Sequence, residues 1–459
     1  MTSISALHGQ AAGNRRKPVM GCRTGRAALR LALTGDSIVE RRLLTLQDAT
    51  LRPLFELIRS ADVAFTNLEV LPNDFVGDPA LESGGSHFGA PAWVLDELTD
   101  AGFDLFAMAS NHSLDYGISG LLRAIDAMEK RGLSFAGVGR NLEDARRPAY
   151  HTHPNGTVAL LSCSATFAKG QEAAVQRPDT PGRPGLNPLR HSTVYEVTPA
   201  QLAVVLEMAE QLGLERMRQK VVELGFAFPP SDPALVPFEN LQFRGAEKVA
   251  LRTQAIRGDV DDMARWVREA HDLSDLVLVS AHAHEYGDDE ESPAEFLPVF
   301  ARRMIDEGAS LVVGHGPHLL RGMEIYKNCP IFYSLGNFVG QNELVPRLPA
   351  DSYEQFRAEP HMTPGMVYKH RSDGDRKGFP ADRRFWETVV PICEFADGKL
   401  SGVEIHPVTL GLGQPRHLRG RPRLAEGNEA AGILARFARL SEPFGAHLSM
   451  GGAMATLAA

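Results

Sequence analysis

The sequence predicts a mixed α/β protein, and two observations carry that reading. Through the first 165 residues, short apolar runs alternate with segments whose apolar residues recur at helical spacing. That pattern marks βαβ units and a largely parallel layer. Three successive apolar runs in that stretch also stop at clusters of polar side chains. Three such endings at one end of a parallel layer point to a shared site, since open α/β sheets bind ligands beyond the carboxyl ends of their strands.

The elements follow in order. Residues 29–34 (LRLALT) read as a buried strand that stops at Gly35, Asp36 and Ser37. The spacing of Leu43, Leu44, Leu46, Leu51, Leu54, Phe55 and Ile58 predicts a helix. Residues 62–65 form a second strand, which ends at Thr66, Asn67, Leu68 and Glu69. Residues 71–90, rich in Gly, Pro and Asp, are loop. Residues 93–101 form a helix closed by Gly102. The third strand, 104–109, ends at Ser110, Asn111 and His112, with Asp115 three residues on. A helix over 118–131 turns Leu121, Leu122, Ile125 and Met128 to one side and stops at Gly132. Short strands follow at 133–138 and 157–162.

Residues 166–255 change character. The turn-rich stretch 177–185 excludes regular structure, and helical spacing returns at 199–224, before a Pro-rich loop at 228–237. We read this region as a helical insertion over the site. Its Arg177, Arg183 and Arg190 are suited to carboxylate or phosphate, although for any single one an exposed solubilising charge is the stronger reading. A further helix is expected at 260–271. Residues 276–280 form a strand ending at Ala281, His282, Ala283 and His284, and a helix over 295–307 is stopped by Gly308. The apolar run 311–313 ends on Gly314 and delivers His315 and His318 on a Gly-Pro loop. A second run, 331–333, leads into Ser334, Leu335, Gly336, Asn337 and Phe338. Residues 341–390 look polar, irregular and superficial. Residues 403–408 alternate as a half-buried strand, 426–440 form a helix, and the small-residue end is expected to be mobile. The expected organisation is a disordered basic tail at 1–27, a main domain at 28–415, and a C-terminal helix and tail at 416–459. Tyr333 and Phe338 read as core, whereas His87, His151, His153 and His191 read as surface.

The bulk composition narrows the function. A net charge of −9 gives no general attraction for nucleic acid or anionic membrane. Four separated cysteines form no CxxC pair, which argues against a thiolate metal site and a disulfide framework. No stretch is long and apolar enough for a membrane span, and the basic start lacks the apolar segment of a signal peptide. A cytoplasmic location is therefore expected, with Met1 or Met20 as the start.

Collected at strand ends are Asp36, Asn67, Glu69, Asn111, His112, His282, His284, His315 and His318. Imidazole, carboxylate and amide oxygen without thiolate suit a divalent ion such as Mn, Zn, Fe or Ca. Two such ions held close together clamp a transferring phosphoryl group.

The order GD…NLE…SNHSLDYG…H…GHGPHLLRGMEIYKNCPIFYSLGNF resembles the capsule and poly-γ-glutamate synthesis (CapA-type) family, within the calcineurin-like metallophosphatase superfamily. The resemblance runs over most of the chain, and its last motif is the most specific. It implies a four-layer α/β/β/α sandwich with two metals at the strand ends. By resemblance, Asp36 stands for the first motif aspartate, Glu69 for the bridging acid and His282 for the isolated histidine. Asn111 and His112 match the Asn-His pair, and His315 and His318 the last pair. Ile38 stands where the superfamily has a ligand histidine. The resemblance thus implies one complete set (Glu69, Asn111, His282, His315) and one depleted set (Asp36, Glu69, His318). We expect one firmly held metal and a second that is weak or absent. It further implies that His112, oriented by Asp115, protonates a leaving group, with Asp36 also catalytic; Asn67 and His284 then stand behind the ligands. The implied substrate is a phosphoester, polyglutamate or a peptide amide. Two alternatives remain: a peptide epimerase using Asp36 with His315 or His318, and a non-catalytic binding scaffold.

Overall fold

The computed structural model describes residues 28–458 except 46, 84 and 231. The tail expected at 1–27 lies outside the described residues.

Two sheets face each other. In the first, the parallel strands Leu29–Ile38, Val63–Leu68, Leu105–Ala107 and Ser134–Ala136 lie side by side in chain order. Glu387–Ala396 and Lys399–Thr409 extend it antiparallel on the other side. The second sheet is built on the parallel strands Gly156–Ser164, Leu276–His282, Leu311–His315 and Cys329–Leu335. Leu29, Leu31 and Leu33 share one core with Val158, Leu160, Leu278 and Val313, so the sheets pack on each other through alternate residues. The intervening residues face helices. Ala32, Ala64 and Phe106 meet helices Arg52–Arg59, Trp93–Ala101 and Gly117–Lys130. Ala159, Leu161, Val277 and Val279 meet Arg257–Leu273 and Phe296–Asp306. With both faces covered, the central strands are apolar throughout, which is why they read as continuous runs. The mixed α/β class is as expected.

Several details depart from expectation. The first helix is only Arg52–Arg59, with Pro53 in its first turn; Leu43, Leu44 and Leu51 precede it outside the helix, and the Glu97 carboxylate accepts from Leu44 N at 2.6 Å. The region expected to be a helical insertion also carries a four-stranded sheet of His191–Val197, Val236–Phe238, Leu241–Gly245 and Ala250–Ala255 beside helices Pro199–Gln211 and Leu214–Glu223. These strands are only partly buried, so they lack the apolar runs that reveal a strand. His191 stacks on Phe296 at 4.8 Å, which ties this sheet to the Phe296–Asp306 helix. Arg183 and Arg190 pair with Glu172 and Asp259, so neither is a free anion receptor.

His87, expected on the surface, is buried, with Nε2 2.7 Å from Ala80 O. Residues 341–390 are not merely superficial. They include helix Pro364–Arg371, whose Val367 and Tyr368 are buried, and the start of strand Glu387–Ala396. The tail expected to be mobile ends in strand Ala455–Ala458, paired with Lys399–Thr409.

Candidate metal centre

The strand ends deliver their polar clusters to one buried place. Asp36, at the end of Leu29–Ile38, is fully enclosed. Its Oδ1 accepts from Asn67 Nδ2 at 2.9 Å, and its Oδ2 accepts from Gly316 N at 3.3 Å. Gly35 has to be glycine, because a Cβ there would sit 1.9 Å from Gly336 O, where the GD and LGN turns meet. His315 Nδ1 lies 3.4 Å from Asp36 Oδ1, and His318 Nδ1 lies 3.3 Å from Asp36 Oδ2. His318 takes a positive φ of 60°, and its Nδ1 is also 2.9 Å from Asn337 Oδ1.

Glu69 follows strand Val63–Leu68 and is fully buried, with neither carboxylate oxygen hydrogen-bonded. It lies 3.7 Å from His282 Nε2 and 3.6 Å from His318 Nδ1. Asn111 Oδ1 is 2.7 Å from His282 Nε2 and 3.3 Å from His284 Nε2. Two triads offer ligand atoms within 4.8 Å of one another: Glu69, His282 and His284, and Asp36, Glu69 and His318.

His112 stands apart. Its Nδ1 is 2.8 Å from Asp115 Oδ2, and its ring lies 4.3 Å from that of Phe88. Phe88 N donates to the same Asp115 oxygen at 2.7 Å. The loop expected at 71–90 thus folds back to fix this pair.

The electrostatics suit a cation. Burial pushes the Asp36 carboxyl up, but the His315 and His318 imidazoles beside it outweigh it and hold it well below the ordinary value. Burial, with the negative charges of Asp36 and Asp115 added, pushes Glu69 well above its ordinary value. Burial lowers His282 to about 3, with the positive charges of His315, His318 and His112 acting in the same direction and Asp36 opposing. His284 is also held well down, by burial and then by His282 and His318. Neutral imidazoles keep a lone pair free for a metal, and an enclosed carboxylate with no hydrogen-bond partner needs a positive charge to remain ionised. The buried acidic and histidine groups therefore fit a divalent ion.

The cluster gathers the residues collected from the strand ends, His112 apart, but not in the grouping that the resemblance implies. His284, expected behind the ligands, joins Glu69 and His282. His315, expected in that set, instead sits against Asp36, and neither of its ring nitrogens is hydrogen-bonded. Three contributors were missed. Asn337 fixes His318, and its signal was the polar residue after an apolar run, as at the other strand ends. Phe379 lies 5.3 Å from the His318 ring. Buried Arg321 donates to His284 O at 3.4 Å and to Glu290 O at 3.1 Å. The last two carry no sequence signal.

The two-sheet α/β scaffold thus carries, at its strand ends, a buried cluster of acids and histidines that could hold a metal ion. Residues 30–342 match the family described as "Bacterial capsule synthesis protein PGA_cap". The chain belongs to this family, which is part of the metallophosphatase-like superfamily. It is 33% identical to the uncharacterized protein y4sH of Sinorhizobium fredii (strain NBRC 101917 / NGR234), over 92% of this chain and 91% of that one. It is 26% identical to the capsule biosynthesis protein CapA of Bacillus anthracis, over 55% of this chain and 44% of that one. With the PGA biosynthesis protein CapA of Bacillus subtilis (strain 168) the identity is 27%, over 53% and 44%. Among the described residues no helix is long and apolar enough to cross a membrane.

Proposed function

We propose that this chain is a metal-dependent hydrolase on the calcineurin-like α/β/β/α scaffold, acting on a phosphoester or on a glutamyl or peptide amide in capsule or polyglutamate biosynthesis. The observation that carries this is Glu69, a buried carboxylate without a hydrogen-bond partner, set among imidazoles held neutral. Glu69, His282 and His284, with Asn111 Oδ1 beside them, are the firmer metal set, and Asp36, Glu69 and His318 the weaker. A divalent ion bound there supplies Lewis acidity and lowers the pKa of water.

The chain's own groups do the rest. Asp115 Oδ2 accepts a hydrogen bond from His112 Nδ1–H and stabilises the imidazolium whose Nε2–H delivers a proton to a leaving group. Phe88 fixes the plane of that ring. Asn67 and Gly316 donate to Asp36 and hold its oxygens toward His315 and His318. Metal analysis of the purified protein, paired with a screen of phosphodiester and γ-glutamyl substrates, tests the reading. Activity is expected to disappear in Asp36→Ala and His282→Ala. Full activity in both variants overturns the catalytic assignment, and two equally occupied metals overturn the division into a firmer and a weaker set.

One contact supports a second reading. Asp36 Oδ1 lies 3.4 Å from Nδ1 of His315, whose ring nitrogens have no hydrogen-bond partner. An acid and an imidazole so paired can remove and return a Cα proton, as an epimerase requires. Deuterium incorporation from D2O into a peptide, without hydrolysis, favours that reading; hydrolysis without incorporation removes it.

A further inference from the structure

Beside the metal centre lies a cavity of about 220 Å³, lined in part by Glu343, Tyr368, Arg371, Ser372, Lys377 and Phe379. It falls almost wholly outside the family match, which ends at residue 342. Phe379 is the wall it shares with the cluster. Its ring lies 5.3 Å from that of His318 and stacks on Phe385 at 4.1 Å. Phe385 O in turn accepts from Asn337 Nδ2 at 3.2 Å, and Asn337 Oδ1 is 2.9 Å from His318 Nδ1. A group in the cavity is thus separated from the Asp36–Glu69–His318 set by one aromatic ring.

The charge around the cavity is unbalanced. Glu343 is neutralised by Arg419, which donates at 2.6 and 2.7 Å to its two oxygens. Asp375 pairs with Arg416 and Arg419, Asp373 with Arg376, and Asp382 with Arg384. Among the described residues Arg371 and Lys377 have no ion-pair partner. The Arg371 guanidinium lies over the Phe356 ring at 4.6 Å, which orients it without neutralising it. Two uncompensated cations on one small cavity form an anion site. A chain of net charge −9 needs such a local site to hold a negatively charged substrate.

The size and the helix dipole narrow the ligand. Pockets for whole small ligands run to roughly 300–1,000 Å³, so this one suits a single group of a longer molecule. Arg371 closes the C-terminal end of helix Pro364–Arg371, where the partial charge is negative. A monoanionic carboxylate is tolerated better there than a phosphate dianion.

We propose that this cavity is a carboxylate subsite, in which Arg371 and Lys377 hold one acidic residue of a peptide chain while a neighbouring bond lies over the metal centre. The inference rests on the hydrolase reading for what happens to that bond, but the binding itself does not. Calorimetry with a γ-linked oligoglutamate of defined length is the test, on the wild type and on Arg371→Ala/Lys377→Ala. Both side chains are exposed, so the variant is expected to fold, with unchanged circular dichroism and metal content. Binding is expected to weaken at least tenfold in the variant and to fall steeply with salt in the wild type. Equal binding by both proteins, or none by the wild type, overturns the subsite. So does inorganic phosphate if it displaces the peptide at equal concentration. If the wild type binds oligoglutamate but hydrolyses nothing, the hydrolase reading fails while the subsite stands. If a glutamyl substrate is cleaved and the variant keeps the wild-type KM, the subsite fails alone.

Discussion

Ile38 marks the difference between the motif and the molecule. The motif treats this position as a ligand that was replaced. In the structure its buried side chain belongs to the outer, helix-facing core instead of the cluster. The pairing of its strand with Val63–Leu68 shifts register between Leu33 and Asp36, so side-chain direction past that point does not follow simple alternation. Ile38→His is therefore expected not to restore a second metal. It would bury an unpartnered imidazole and lower stability by about 1–3 kcal/mol, as metal titration and thermal melting would register. His284→Ala, by contrast, is expected to weaken binding of the firm metal by roughly 10–100-fold, within the range known for groups at a metal site; an unchanged Mn affinity would remove His284 from the ligands. Glu40 supplies a pH test away from the metal. It is buried, neither carboxylate oxygen is hydrogen-bonded, and burial raises its pKa well above the ordinary value, with Arg41 only partly opposing. Between the unfolded and the raised folded pKa, the folded state holds more protons, so stability falls as pH rises through that window. Glu40→Gln is expected to remove this slope and to stabilise the protein by about 1–3 kcal/mol above neutrality. A melt series from pH 5 to pH 9 with parallel curves for both proteins would refute it.

The elements that were legible in the sequence are those with both faces buried. Strands such as Leu276–His282 and Leu311–His315 are apolar at nearly every position, and their polar endings converge on the buried acid–histidine cluster. What stayed illegible has two causes. The strands near residues 191–255 are half-solvated, so their composition resembles loop. Around residues 364–386, Tyr368, Phe379, Phe385 and Trp386 pack inward without any regular period, yet they build a wall of the site. The loop between Leu276–His282 and Phe296–Asp306 shows the same limit. It carries His284, and what holds it is Arg321, from the other side of the His315–His318 turn. Arg321 is fully buried, and burial lowers its pKa to about 10, with Glu285 and Asp289 opposing. Its Nη1 has no hydrogen-bond partner, while Nε and Nη2 bridge the carbonyls of Glu290 and His284. Arg321→Met keeps much of the volume and removes the bridge. It is expected to raise hydrogen exchange at residues 284–291 and to weaken metal binding, with little change in the exchange of the central strands. Uniform acceleration across both sheets would mean that Arg321 serves global stability instead.

For the molecule as a whole, the C-terminal region is part of the core and not an appendage. Residues 416–459 look separable in sequence, because one amphipathic helix followed by small residues resembles a trailing segment. Yet Ile433, Leu434 and Phe437 of helix Gly427–Ser441 are buried in the cluster that also holds Leu33, Leu278 and Val313, the apolar layer between the two sheets. Ser441 Oγ accepts from Met323 N at 3.1 Å, which ties the helix to strand Leu320–Tyr326, two residues beyond His318. Burying those three side chains is worth roughly 1.5–3 kcal/mol each, and domains of ordinary stability have only about 5–15 kcal/mol to lose. The final strand adds ladder bonds to Lys399–Thr409, so removing the region also uncovers a sheet edge. A chain truncated after Pro415 is thus expected to lose its cooperative thermal transition and its metal binding together, because the sheet that carries His282, His315 and His318 loses the apolar cover beneath it. Removing only residues 449–459 leaves helix Gly427–Ser441 in place. That chain is expected to melt cooperatively a few degrees lower, with metal content unchanged. If both truncations melted as the intact chain does, the helix would not belong to the folding unit, and the metal centre would have to be supported by the two sheets alone.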